Sequence, residues 1–430
     1  MNHPRLIILI IEMMFKGLNF FCSITSICTL IGVFVFGIAK AQNCDHLKMD
    51  IRFDENILKM EALYHHKIGD SSDSLFFILN PDVDSLKIQG VNLNNFLIHE
   101  KQNRPFPYLK LNFNRVLIKG EIIDLHFSYQ IDLVKQNHLN SDWIELNLDK
   151  FWFPNHNDID NKFTYELNIA GLPSDFTLIS HIDADIKIDN SNKILIQKRS
   201  PDIEVLILAG KDMRNWKADS SSQITFIASK HTPDSLLHSM HEKVFQSIKF
   251  MNESFGKSNP IKEFKVVLRN TTKKEIGFQF ARKNMIITAS DFNSYGNLSH
   301  EIAHFWWFDA DFIKEPWMNE SFANYSMFLV LEQYDPSTFT EIFNKYKELS
   351  FDAPAVDQAT LFSDDAYNSY YIKGSILLKR LELIIGKSKM NELLELRITK
   401  RINNTEKLLN ELEILTDLTT RNLFKRMLLE

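Results

Sequence analysis

The sequence predicts a multidomain α+β protein, in which an N-terminal antiparallel β-sandwich or saddle precedes a mixed α/β and then mainly helical region. Short runs of alternating hydrophobic and polar residues dominate the first half, as in half-buried strands. Hydrophobic residues at helical spacing dominate the second half. The length of 430 residues exceeds that of one ordinary hydrophobic core, so we expect two folding units.

Composition and charge exclude some classes of protein. With 44% hydrophobic and 24% charged residues, the chain resembles an ordinary globular protein rather than a disordered or fibrous one. The formal net charge of -6 provides no basic surface for a polyanion, so nucleic acid is not expected as a partner. Nothing in the sequence predicts the oligomeric state.

The N-terminus carries an export signal. Apolar runs over residues 6–14 and 18–38 end in Ala39-Lys40-Ala41, the small-x-small pattern that a signal peptidase accepts. We therefore predict a signal peptide over residues 1–41 and a periplasmic or extracellular protein. The second apolar run is long enough to span a bilayer, so the alternative is an uncleaved membrane anchor. After cleavage, only Cys44 of the three cysteines would remain, which excludes an internal disulfide.

Residues 42–230 are predicted to form the β domain. Strand-like runs occur at residues 75–79, 122–127, 143–148 and 163–167. Clusters of Asn, Asp, Pro and Ser separate them, and no helix-length periodic segment intervenes. This pattern favours an antiparallel sandwich or saddle.

Residues 231–430 are predicted to form a second domain. Thr232-Pro233-Asp234 is a helix start signal, and hydrophobic residues follow at helical spacing as far as Gly256. Strand-like runs at residues 264–268 and 285–288 come next, and the remainder is helical in pattern. The second domain should therefore begin as mixed α/β and end as α-helical.

The sequence H-E-I-A-H at residues 300–304 predicts a metal site. On a helix, His300 and His304 lie one turn apart, so both imidazoles can reach one ion from the same face. Zinc suits imidazole ligands, and a catalytic zinc has three protein ligands with the fourth position left for water. Glu301, next to the first histidine, is placed to take the proton of that water.

A second segment supplies a candidate third ligand. W-M-N-E-S-F-A-N-Y at residues 317–325 resembles the W-L-N-E-G-F-A-x-Y segment of the aminopeptidase N family of gluzincin peptidases, which includes the leukotriene-hydrolase branch. The resemblance implies that Glu320 is the third zinc ligand. Fifteen residues separate His304 from Glu320, fewer than is usual in the family, and we expect the connection between the two helices to absorb this deletion. Asn319, Asn324 and Asp309 are candidates for orienting the histidines.

A third segment, Y-I-K-G-S-I-L-L at residues 371–378, is similar to the family's Y-x-K-G-x-x-x-L pattern. The resemblance implies that the hydroxyl of Tyr371 donates a hydrogen bond to the oxyanion of the tetrahedral intermediate. A tyrosine packed in the core is the alternative, and it fits Tyr367 and Tyr370 better than Tyr371.

The family's substrate-anchoring motif, G-x-M-E-N, is missing. The matching stretch is G-F-Q-F-A-R-K-N-M-I-I-T at residues 277–288, which begins at Gly277 and places Arg282 where the amine-binding glutamate is expected. A cation there would repel a substrate ammonium, so one hypothesis is a preference for blocked or carboxylate-bearing peptides. The alternatives are a solvated Arg282 in a divergent loop, or another carboxylate such as Glu275 that binds the amine.

Together these segments predict a zinc metallopeptidase with one zinc ion per chain and a peptide substrate. The resemblance implies a β-saddle followed by a thermolysin-like catalytic domain, without the family's further helical domains. Two other functions stay open: a catalytically weak zinc-containing peptide-binding protein, because the anchor is missing, and an endopeptidase.

Overall fold

The structure is a computed structural model that describes residues 44–99, 108–135, 142–156, 161–269, 279–359 and 363–430. The predicted signal peptide, Gly277 and Glu275 lie outside the described residues. The described chain is α+β, with a large region of β-sheet followed by a helical region, which confirms the predicted fold class.

The strands of the first region form three sheets. They are β1 Asp45–Asp54, β2 Ile57–Lys67, β3 Ser72–Ile78, β4 Asp84–Gly90, β5 Leu93–His99, β6 Tyr108–Leu117, β7 Ile122–Asp132, β8 Trp143–Leu146, β9 Asn155–His156, β10 Phe163–Ala170, β11 Phe176–Ile179, β12 Asp185–Ile188, β13 Ile194–Asp202 and β14 Ile207–Lys211. The sheet orders are β12-β13-β10-β1-β2-β7-β4, β5-β6-β3-β9 and β11-β14-β8. The predicted runs at 75–79, 122–127, 143–148 and 163–167 overlap β3, β7, β8 and β10, although β8 ends at Leu146 and a 3-10 turn begins at Leu148.

The seven-stranded sheet follows the hydrophobic alternation of its sequence. In β1 and β2, buried and more exposed residues alternate along the strand, because successive side chains point to opposite faces. Most neighbouring strands are antiparallel, as predicted, but β1 pairs with β10 in parallel. That pairing joins strands more than a hundred residues apart, and no local pattern indicates it.

A five-stranded mixed sheet follows the first region. Its order is β15-β16-β17-β19-β18, and its strands are β15 Met213–Trp216, β16 Ile224–Ser229, β17 Phe264–Leu268, β18 Phe280–Arg282 and β19 Met285–Thr288. The runs predicted at 264–268 and 285–288 are β17 and β19. Strands from both sides of the predicted boundary at residues 230 and 231 share this sheet, and the boundary itself stays a prediction.

Eight α-helices are described in the second half. They are α1 Asp234–Ser254, α2 Tyr295–Ala303, α3 Pro316–Tyr334, α4 Pro336–Asp352, α5 Gly374–Ile385, α6 Lys387–Thr399, α7 Thr405–Leu415 and α8 Leu418–Leu429. The helix predicted to start at Thr232-Pro233-Asp234 is α1. Within the described ranges, no helix is both long enough and apolar enough to cross a membrane.

Separate hydrophobic cores underlie the two halves. One core lies among strands β1 to β14, and another joins the five-stranded sheet to the helices. A smaller core packs Trp143 and Leu208 of the first half against Val267 and Ile287 of the second. This third core ties β8 and β14 to the sheet that lies beside α2.

Candidate active site

Two consecutive helices, α2 and α3, carry the predicted ligands. Helix α2 begins at a capping serine, Ser294, whose side chain accepts a hydrogen bond from the backbone N–H of Asn297. His300 lies in its last turn, and His304 follows its final residue with helical backbone angles. Helix α3 begins with Pro316 at a first-turn position, which suits the fixed φ of proline. Glu320 follows one turn later.

The three predicted ligands converge. The Nε2 atoms of His300 and His304 lie 3.6 and 3.4 Å from Oε2 of Glu320, and one ligand atom from each residue lies within 4.8 Å of the others. Donor atoms of a tetrahedral zinc with bonds of about 2.1 Å lie about 3.4 Å apart. Oε2 of Glu320 is buried and has no hydrogen-bond partner among the described residues. Two imidazoles and an unsatisfied carboxylate oxygen therefore fit a zinc ion.

Both imidazoles are oriented by hydrogen bonds through Nδ1. His300 Nδ1 lies 2.8 Å from Oδ1 of Asn324, and Nδ2 of Asn324 donates to the carbonyl of Tyr371 at 2.8 Å, which fixes the direction of the amide. His304 Nδ1 lies 3.1 Å from the carbonyl of Trp307. Because both partners accept, each Nδ1 carries its proton and each Nε2 is left to bind a metal.

Of the three candidate orienting residues, Asn324 is the one that hydrogen-bonds a histidine in the structure. Asn319 instead bonds the backbone of Ala310, accepting from its N–H at 3.2 Å and donating to its carbonyl at 3.0 Å. The carbonyl of Trp307 was not predicted, because a backbone acceptor leaves no side-chain signal in a sequence.

The connection between α2 and α3 is held by buried contacts. Nε1 of Trp307 donates to Oγ of Ser326 at 2.8 Å, and the Asn319 side chain bonds Ala310 from α3. Phe308 and Phe312 pack against the core of the β region. These contacts fold the connection back onto α3, so Glu320 lies beside the histidines.

Glu301 lies in an environment that favours its protonated form. Burial raises the pKa of the Glu301 carboxyl to about 7, with Glu320 adding to the rise and His304 opposing it. Burial also lowers the pKa of His300 to about 4. For His304, burial is outweighed by the nearby carboxylates of Glu320 and Glu301, which raise its pKa to about 9. A carboxyl that titrates near neutral pH is suited to accept and return a proton.

Tyr371 lies beside the histidines, within a π-helical turn at Tyr367–Lys373. Its ring stacks on that of His300, with 5.7 Å between the centroids and 24° between the planes. Burial and the neighbouring carboxylate of Glu320 raise the pKa of Tyr371 well above its usual value, so its hydroxyl remains a donor. Isolated π-helical turns occur frequently at functional sites. The sequence predicted the position of Tyr371 and a helix, but not the π-helical form.

Gly374 allows the turn that carries Tyr371 to approach α3. Oγ of Ser321, next to Glu320, donates to the carbonyl of Tyr370 at 2.5 Å. A Cβ at position 374 would lie 1.8 Å from that Oγ and 2.8 Å from the Cβ of Ser321. Only glycine fits this close packing, which places Tyr371 and Glu320 side by side.

Arg282 lies at the end of the edge strand β18 and pairs with a carboxylate from the β region. Its guanidinium contacts the fully buried Glu204 through two nitrogens, one of them at 3.1 Å, and lies over the ring of Phe280. A neighbouring pair joins Arg269 to Glu145 at 2.7 and 2.9 Å. Among the charges acting on Glu301 are both arginines. The sequence did not indicate Glu204 or Glu145, since long-range ion pairs leave no local pattern.

The structure thus brings His300, Glu301, His304, Glu320 and Tyr371 together, and it places Arg282 in an ion pair beside α2. Gly277 lies outside the described residues. The roles of these residues stay predictions.

Comparison with known proteins adds evidence on the fold. Sequence profiles of protein families give no match, and no curated protein sequence matches. Solved structures do match. An M1 zinc metallopeptidase from Deinococcus radiodurans has a TM-score of 0.62 and 14% identity, over 90% of this chain and 95% of that one. A mutant two-domain M1 zinc metallopeptidase bound to L-arginine has a TM-score of 0.64 and 15% identity, over 89% and 93% of the two chains.

Yeast leukotriene A4 hydrolase is also similar in structure. Its TM-score is 0.63 at 14% identity, and the match covers 88% of this chain but only 65% of the hydrolase. At such low sequence identity, the similarity to these structures shows a shared fold and nothing further. The chain therefore shares its fold with the M1 zinc metallopeptidases and with leukotriene A4 hydrolase.

Proposed function

We propose that the protein belongs to the aminopeptidase N family and is a zinc-dependent peptidase. The observation that carries this proposal is the convergence of two imidazole Nε2 atoms on a buried carboxylate oxygen that has no hydrogen-bond partner within the described chain. The fold shared with solved zinc metallopeptidases supports it. His300, His304 and Glu320 would hold the ion.

The remaining residues supply proton transfer and charge stabilisation. A bound zinc ion acts as a Lewis acid and lowers the pKa of water to about 7. Glu301 accepts a proton from the attacking water and returns it to the leaving amine. Tyr371 donates its hydroxyl hydrogen bond to the oxyanion of the tetrahedral intermediate. Asn324 hydrogen-bonds both the ring of His300 and the backbone carbonyl of Tyr371. It therefore fixes the position of these two residues relative to each other.

Removal of zinc tests the proposal directly. Purified protein treated with a strong chelator should lose hydrolysis of a peptide library, and stoichiometric zinc should restore it, whereas the β region should stay folded. Mass spectrometry of the digests measures the activity. Peptide hydrolysis that survives complete removal of metal would contradict the proposal.

We further propose that the substrate does not need a free α-amine. Glu204 and Glu145 lie in the region of β18, but arginines neutralise both. An ammonium group would therefore find no free carboxylate in these two pairs, because each glutamate is already paired with an arginine. N-acetylated peptides should be hydrolysed within about 10-fold of the rate of free peptides, the range that 1.4 kcal/mol of discrimination allows.

A variant of Arg282 sharpens this prediction. Arg282→Gln leaves Glu204 unpaired, so the ratio of free to acetylated hydrolysis should rise. The double variant Arg282→Gln with Glu204→Gln removes both charges of the pair. The ratio of free to acetylated hydrolysis should therefore return towards that of the unmodified protein. A strict requirement for the free amine in the unmodified protein would contradict the proposal.

Asp149 is the residue to change if a free amine proves essential. Its side chain is exposed, and the N–H of the preceding residue, Leu148, donates to Glu204 at 2.9 Å. A carboxylate that can attract a cation therefore lies close to the Arg282 pair. Asp149→Asn would then reduce the preference for free peptides.

Two further proposals concern the setting of the reaction. We propose that the protein is exported and acts on peptides in the periplasm or outside the cell, since residues 1–41 carry the sequence pattern of a signal peptide.

Endopeptidase activity is the second candidate function, because cleavage inside a chain also requires that the enzyme accept a substrate without a free α-amine. Cleavage inside casein, rather than release of single residues, would identify it.

A further inference from the structure

A buried arginine from the C-terminal helices lies behind the two ligand helices. Arg397, in the last turn of α6, is only 4% exposed. Its guanidinium lies over the rings of Phe322 and Trp307, at 4.0 and 4.8 Å from their centroids. Its Nε donates to the carbonyl of Ile402 at 3.3 Å. The cation thus lies over two adjacent aromatic rings, whose centroids are 5.5 Å apart.

Folding stability alone does not account for this charge. Burial lowers the pKa of Arg397 to about 9, with Asp309 opposing the change. Its Nη1 has no hydrogen-bond partner in the described part of the chain, and none of the ion pairs there includes it. Taking a charge out of water without an ion-pair partner costs free energy. An arginine in this position therefore calls for a reason other than stability.

Each of the two residues whose rings lie under Arg397 is linked to a predicted metal ligand. Trp307 accepts the Nδ1–H of His304 through its carbonyl, and its indole is bonded to Ser326 of α3. Phe322 follows Glu320 by two residues on α3. The guanidinium therefore bridges the connection after His304 and the helix that carries Glu320.

We propose that Arg397 is a positioning residue that holds the short connection between α2 and α3 in the arrangement that lets His304 and Glu320 share one metal ion. The planar guanidinium fixes the rings of Trp307 and Phe322 relative to each other, and Trp307 in turn fixes the tautomer and the direction of His304. This inference rests on the proposed zinc site and adds a residue that the family resemblance did not indicate.

Zinc affinity and the stability of the zinc-free protein together test this role. Arg397→Met keeps the volume of the side chain but removes the charge and the planar group. We expect a zinc dissociation constant about 10-fold weaker, in the range found for partners of zinc ligands, with no decrease in the melting temperature of the zinc-free protein. Competition with a chromophoric chelator measures the affinity. Arg421→Met, which changes a half-buried arginine of α8 that pairs with Glu406 and Glu413, is the control and should leave the zinc affinity unchanged.

Arg397→Lys completes the test, because lysine keeps the charge over the rings without the planar stacking. Its zinc affinity should lie between those of Arg397→Met and the unmodified protein, and it decides the matter if Arg397→Met does not fold. Unchanged zinc affinity in the folded variants would overturn the inference, as would a loss that only parallels a lower melting temperature of the zinc-free protein. If the unmodified protein binds no zinc, the proposed function fails, and this inference fails with it.

Discussion

Glu301→Gln should reduce kcat by about 100- to 10,000-fold, the contribution expected of a general acid or base, while the protein still binds one zinc ion per chain. The carboxamide has nearly the same shape as the carboxyl group but cannot accept the proton of water. Glu301 is not part of the group of ligand atoms that converge on one point, so metal binding should persist. Single-turnover kinetics and metal analysis of the same sample measure both quantities.

The same variant separates an enzyme from a binding protein. A zinc-containing protein that only binds peptides would show no turnover to lose and would keep its peptide affinity in Glu301→Gln. Glu341→Gln, on the exposed face of α4, is the control and should leave turnover unchanged. Full activity in Glu301→Gln would exclude Glu301 as the base.

Glu320→Gln should weaken zinc binding more than the 10- to 100-fold that loss of an outer partner of a ligand costs, and turnover should be lost with the metal. A neutral amide oxygen is a weaker ligand than a carboxylate, because it lacks the negative charge that attracts the cation. Chelator competition measures the zinc affinity, and circular dichroism checks the fold.

A second glutamate on the same helix provides the control for Glu320→Gln. Glu332, near the end of α3, pairs with Lys379 at 2.7 Å, and Glu332→Gln should leave zinc affinity unchanged. Unimpaired zinc binding by Glu320→Gln would show that another group completes the site.

Much of the fold could be predicted from the sequence because its elements have local patterns. Strand β2 alternates in burial over its eleven residues, and the runs over residues 264–268 and 285–288 coincide with β17 and β19. The parallel pairing of β1 with β10 could not be predicted, since it depends on which distant edges meet. For the same reason, the sequence did not predict that β15 and β16, before residue 230, share a sheet with β17, β18 and β19, after it.

Residues of the candidate site could be predicted only where the proposed chemistry needs residue types at a fixed spacing along the sequence. The helical spacing of His300 and His304, with the segments around Glu320 and Tyr371, indicated residues that the structure brings together. Contacts made by backbone groups or between distant residues left no such signal: the carbonyl of Trp307, the Glu204–Arg282 pair and the rings under Arg397. Contacts of this kind also hold the connection between α2 and α3, so its conformation could not be predicted from the sequence.

The most direct measurement is an anomalous difference map from crystals of the zinc-loaded protein, recorded at the zinc absorption edge. We expect one peak, within about 2.0 to 2.2 Å of Nε2 of His300, Nε2 of His304 and a carboxylate oxygen of Glu320. The absence of a peak between these three residues, or a Glu320 side chain directed away from both imidazoles, would contradict the account.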